Sequence, residues 1–83
     1  MKDAKNLILE ILSSEDIEFE INDFPSGCCM IDIWVGEQFY VIQIEPESIG
    51  ISLVEGPDFS TIPDERFYDF LNFSKRLNEI LKG

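Results

Sequence analysis

The sequence predicts an α+β domain of two layers, an antiparallel four-strand meander flanked by an N-terminal and a C-terminal helix, in the order α-β-β-β-β-α. Three observations carry that prediction. The two ends of the chain repeat apolar residues at three- and four-residue spacing, the middle alternates apolar and polar residues, and short turn signals separate the alternating runs. Eighty-three residues suffice for one domain with a single modest core, so residues 1–83 read as one unit.

The first helix is expected over residues 3–13, where Ala4, Leu7, Ile8, Ile11 and Leu12 form one apolar stripe. The first strand is "IEFEI", residues 17–21, with Ile17, Phe19 and Ile21 on one face and Glu18 and Glu20 on the other. The turn signal "NDFPSG" follows, then "CCMIDIWV", Gly36-Glu37 and "QFYVIQI", which together read as a hairpin. A two-residue II′ turn at Gly36-Glu37 sets Val35 opposite Gln38, Trp34 opposite Phe39, Ile33 opposite Tyr40, Asp32 opposite Val41 and Ile31 opposite Ile42. That register keeps Cys29, Ile31, Ile33, Tyr40, Ile42 and Ile44 together, whereas a slip of one residue mixes polar and apolar positions on both faces. A second turn at Pro46-Glu47 pairs Ile44 with Ile49, Ile42 with Ile51 and Tyr40 with Leu53.

The last helix is expected to begin near "STIPDERF" and to run to about Lys82, with Thr61 or Asp64 as its cap. Asp64 and Glu65 suit the positive end of its dipole, and Lys75, Arg76 and Lys82 the negative end. Its apolar positions are Phe67, Phe70, Leu71, Leu77 and Leu81, flanked by Tyr68, Phe73 and Ile80. That set is wider than a single stripe, so part of it is available to a partner.

With both helices on one face, the other face of the sheet is left open. It carries Glu18, Glu20, Met30, Asp32, Trp34, Phe39, Val41, Gln43, Ser52 and Val54, an aromatic and aliphatic patch edged with acids. The formal net charge is −11, and residues 6–65 hold fourteen carboxylates and no positive side chain. A surface of that sign repels phosphate backbones and anionic lipid headgroups, so direct nucleic-acid and membrane binding are not expected and a basic protein partner is.

Catalysis is not expected. The chain has no histidine, no glycine-rich phosphate loop and no cation close in sequence to activate Cys28 or Cys29. No cofactor or metal is expected either: "EPE" at 45–47 and "DE" at 64–65 lack the spacing of a calcium loop and read as a solvated turn and a helix start. Adjacent cysteines on a strand point to opposite faces, and a bond between them would be strained, so both are expected reduced. The N-terminal "NLILEIL" has neither the length of a membrane span nor the flanks of a signal peptide, and the expected location is the cytoplasm.

Two readings of the acidic face compete. Net negative charge alone keeps a small protein soluble, and a second copy of the chain could cover the aromatic patch as a homodimer. Against these stands an interface in which aromatics sit at the centre and charges around them. The expected partner-binding residues are Glu18, Glu20, Asp32, Trp34 and Phe39, with Glu37, Glu45, Glu47, Glu55 and Asp58 as outer charges and Trp34 as the anchor.

The run "FYVIQIEPESIGISLVEGPDFSTIPDERFYDF", Phe39 to Phe70, resembles the small acidic immunity proteins that bacteria pair with polymorphic toxins. In those proteins a strand ends in an IGIS-like segment and a PDE-type helix start follows. The element order and the charge also resemble phage anti-CRISPR proteins and DNA-mimic inhibitors such as the uracil-DNA glycosylase inhibitor class. The resemblance implies a class and carries over no site: a stoichiometric inhibitor that occludes a basic toxin or nucleic-acid-processing enzyme. A housekeeping interaction domain is the remaining alternative.

Overall fold

The structure, a computed structural model, describes residues 4–54 and 65–82. Its elements are α1 (Ala4–Ser14), β1 (Glu18–Asp23), β2 (Cys29–Val35), β3 (Gln38–Ile44), β4 (Ile49–Val54), β5 (Glu65–Phe67) and α2 (Phe70–Lys82). The strands form one antiparallel sheet in the order β1-β2-β3-β4-β5. The α+β class, the meander and the flanking helices are as the sequence predicts, with a fifth strand added.

α1 buries Ala4, Ile8 and Leu12 with Ile11 half-buried beside them, while Leu7 of the expected stripe is exposed and Leu9, outside it, packs against the core. It ends in a Schellman motif. Ile17 N–H donates to the Leu12 carbonyl (2.9 Å) and Asp16 N–H to the Ser13 carbonyl (3.3 Å), which requires the left-handed backbone found at Asp16, φ 57°. A short acid tolerates that conformation better than a branched residue would.

Each hairpin follows from its turn. Pro25-Ser26-Gly27 joins β1 to β2, closed by Phe24 N–H to the Cys28 carbonyl (3.0 Å), with Gly27 left-handed at φ 92°. Gly36 takes φ 61° while Glu37 stays at negative φ, the II′ pattern that suits strand twist. Every β2–β3 and β3–β4 pair expected from the sequence is present.

The inner face consists of three cross-strand rows, Phe19-Ile33-Tyr40-Leu53, Ile21-Ile31-Ile42-Ile51-Glu65 and Asp23-Cys29-Ile44-Ile49-Phe67. Ile31, Ile33, Ile42 and Ile49 are wholly buried there with Ile8, Leu12, Phe73 and Leu77, so both helices cover this face.

The C-terminal region departs from expectation. Glu65-Arg66-Phe67 is not a helix start but a strand paired with Ile49-Gly50-Ile51. The helix begins at Phe70, and its cap is Asp69: the Asn72 N–H and side-chain amide donate to the two Asp69 oxygens at 2.8 and 2.7 Å. Those bonds hold the Asp69 carboxyl below the usual range. Thr61 and Asp64 lie outside the described residues. The shifted start also changes the buried stripe, which is Phe73, Leu77 and Ile80, with Phe70 and Leu81 half-buried and Leu71 65% exposed. Phe73 meets Phe67 edge-on at 5.8 Å between centroids and Phe70 at 6.1 Å. Of the three expected dipole cations, only Lys82 is in the last turn. Arg76 bridges instead to Glu65 (2.9 Å) and Glu79 (3.5 Å).

Candidate functional site

Strand alternation and the observed register place three rows on the outer face: Glu18-Trp34-Phe39-Val54, Glu20-Asp32-Val41-Ser52, and Asn22-Met30-Gln43-Gly50-Arg66. Five of the predicted site residues, Glu18, Glu20, Asp32, Trp34 and Phe39, therefore share one face in two adjacent rows.

In the first row Trp34 stacks on Phe39, with centroids 5.1 Å apart and planes at 27°. Offset stacking of this kind contributes about 0.5–1.5 kcal/mol beyond the area buried. It also fixes an indole that remains 37% exposed, beside the exposed Glu18 and at the end of the sheet where Glu37 occupies the hairpin turn. A large flat apolar surface held rigid among carboxylates loses little side-chain entropy when a partner covers it.

The second row sets two carboxylates face to face. Glu20 pairs with Asp32, and burial first, then the Glu20 charge, raises the Asp32 carboxyl above its ordinary range, while a hydrogen bond with the Asn22 side chain opposes the shift. Like charges directly opposed across strands are destabilising. Among the described residues no lysine or arginine forms an ion pair with Glu18, Glu20 or Asp32. Three of the described cations are paired elsewhere: Lys5 with Asp23 (3.0 Å), Arg66 with Glu45 (3.9 Å) and Arg76 with Glu65 and Glu79.

The face is not open throughout. Val41 and Ser52, expected in the exposed patch, are 2% and 7% exposed. They occupy β3 and β4, the half of the middle row away from the β1 acids. The exposed part of the patch is accordingly Trp34, seated on the half-buried Phe39, with the β1 acids along its margin.

The remaining predicted residues divide. Glu47 is exposed in the β3–β4 turn, at the opposite end of the sheet from Trp34. Glu45 is occupied: its carboxylate accepts from Ser48 Oγ at 2.9 Å and bridges to Arg66. Glu55 and Asp58 lie outside the described residues.

Sequence reasoning missed Arg66. The short β5 brings this cation onto the outer face beside Glu45, where with Cys28, Pro46, Glu47, Ser48 and the 71% exposed Tyr68 it lines a shallow groove. An adjoining groove is lined by Phe24, Ser26, Met30 and Gln43 among others. The only signal for this was the apolar Phe67 two residues after Glu65, which an expected helix start had already absorbed.

Cys28 and Cys29 are both free thiols. Cys29 is buried on the inner face, and burial pushes its thiol up, away from reactivity. Among the described residues no three carboxylates or thiols converge as a metal site, and no helix is long and apolar enough to cross a membrane. No family model, curated protein or solved structure matches this chain.

Proposed function

We propose that this chain is a non-enzymatic, acidic protein-binding inhibitor of the immunity type, which neutralises a basic toxin or nucleic-acid-processing enzyme by covering its working surface. The observation that carries the reading is the composition of one surface: an exposed Trp34 stacked on the half-buried Phe39 and bordered by Glu18, Glu20 and Asp32, none of which forms an ion pair with a cation among the described residues. Protein interfaces place aromatic anchors at the centre and charges around them. The acids supply long-range attraction to a cationic groove and raise the association rate, while Trp34 and Phe39 slow dissociation. Occlusion of this kind requires no catalytic group and no cofactor, and the cytoplasm, where thiols stay reduced, suits the two free cysteines.

The test uses the product of the neighbouring reading frame, or a partner captured from the native host, as a purified protein. Trp34→Ala and Glu20→Lys are each expected to weaken the complex at least tenfold with the free domain still folded, and the association rate is expected to fall as salt rises. Affinity independent of salt sinks the electrostatic part of the proposal. Unfolding of the isolated domain by Trp34→Ala returns that residue to the core and sinks the rest. Competition of the chain with duplex nucleic acid for the partner's groove separates an anti-defence nucleic-acid mimic from a toxin immunity protein.

A further inference from the structure

β1 is a terminal strand, and among the described residues no segment pairs with its outer edge. An unpaired strand edge is a template for another extended chain, and native sheets suppress that with proline, bulges, covering elements or charge. β1 has no proline and pairs with β2 without interruption over its six residues. Among the described residues its protection is charge: Glu18 and Glu20 on the outer face, and on the inner face Asp23, which is paired with Lys5 (3.0 Å).

The inner side of the same edge is apolar and incompletely covered. Phe19 and Ile21 are half-buried, whereas their cross-strand partners Ile33 and Ile31 are wholly buried, so the helical layer thins out at β1. The edge thus combines unpaired backbone, two uncompensated carboxylates on one side and an apolar shelf on the other.

These features select among occupants. A second copy pairing β1 antiparallel to β1 with the faces continuous sets Glu20 against Glu20 when centred there, like charges whose opposition is destabilising, and sets Asp23 against Phe19 when centred on Ile21. Reversing the faces instead places carboxylates opposite Phe19 or Ile21. A strand with lysine or arginine at alternate positions and aliphatic residues between them meets neither conflict. Its cations lie opposite Glu18 and Glu20, and its apolar side chains extend the shelf over Phe19 and Ile21.

We propose that the β1 edge is a strand-addition site for an extended protein segment of alternating basic and apolar residues. Main-chain hydrogen bonds supply affinity and the alternate side chains supply selectivity. The proposal rests on the binding-domain reading in expecting a basic partner, and it assigns a contact that does not involve Trp34.

The probe is a blocked heptapeptide, Lys-Val-Lys-Val-Lys-Val-Lys, with three controls: the same composition in block order, the glutamate analogue, and the alternating peptide N-methylated at alternate amides. Binding to the full chain is read by amide chemical shifts and hydrogen exchange. The alternating lysine peptide is expected to bind at least tenfold more tightly than the block-order peptide and to slow exchange of β1 edge amides at least tenfold, with N-methylation abolishing both effects. Combined Glu18→Lys and Glu20→Lys, both at exposed positions, is expected to reverse the preference to the glutamate analogue. Trp34→Ala is expected to leave peptide affinity within twofold. Absence of binding, equal binding of the two lysine peptides, shifts centred on Trp34 and Phe39 with β1 amides unchanged, or no reversal of preference overturns the proposal. Failure of the face reading is a separate result, a partner complex that Trp34→Ala leaves intact.

Discussion

Asp32 shows at the scale of one residue how charge on this surface is arranged at the expense of stability. Its carboxyl is raised by burial and by Glu20, so the folded chain holds that proton more tightly than the unfolded chain does. The sign follows: the penalty is fully present above the raised value and disappears as pH falls to the unfolded value of about 3.9. Asp32→Asn should therefore stabilise the domain at neutral pH, by on the order of 0.2–1 kcal/mol for relief of a cross-strand like-charge pair, with the gain fading toward pH 4. Urea titrations at pH 7 and pH 4 check both parts. The same substitution should weaken a basic partner's binding, the direction expected where a destabilising residue serves recognition.

At the scale of elements, the strands were legible and the C-terminal region was only partly so. β2, β3 and β4 alternate over six or seven residues, so a slip of one position would expose Ile31, Ile33 and Ile42, and the register is determined by the alternation itself. β5 has three residues, too few for alternation to register, and its Glu65 follows Pro63 and Asp64 in the pattern of a helix N-terminus. Placing the helix start too early mixed strand and turn residues, Phe67 and Tyr68, into the helical stripe and relegated Phe73 to its flank. The site was legible as a face, because period two decides which side chains share it. The Arg66–Glu45 pairing was not, because it depends on the strand contact of Arg66 with Gly50, sixteen positions apart in sequence. Two substitutions distinguish the helix faces. Phe73→Ala removes a wholly buried ring and should cost about 3–5 kcal/mol, whereas Leu71→Lys at an exposed position should stay within about 0.5 kcal/mol. Chemical denaturation of the two variants measures the difference.

For the molecule as a whole, the net charge of −11 is the dominant electrostatic fact. Self-repulsion among seventeen carboxylates opposes compaction, and the described ion pairs that counter it are solvent-exposed and individually weak. Screening acts on both, but repulsion involves many more pairs than attraction. The thermal midpoint should therefore rise by several degrees as sodium chloride increases from about 0.02 M to about 0.5 M, where the screening length shrinks from roughly 20 Å to roughly 4 Å. A midpoint that falls with salt would mean that the ion pairs outweigh the repulsion.

The stack of Trp34 on Phe39 has a spectroscopic consequence. Trp34 is the sole tryptophan, and it lies on the sheet face away from both helices, so intrinsic fluorescence excited at the red edge reports that surface and not the core. A bound protein at the Trp34 face changes its emission and shields it from acrylamide, while a strand added at β1 leaves the indole two strand positions away. Unfolding followed by this signal reads the loss of one hairpin end, and far-ultraviolet dichroism reads the helices over the other face. Coincidence of the two curves is then a direct measure of whether the two layers melt as one cooperative unit.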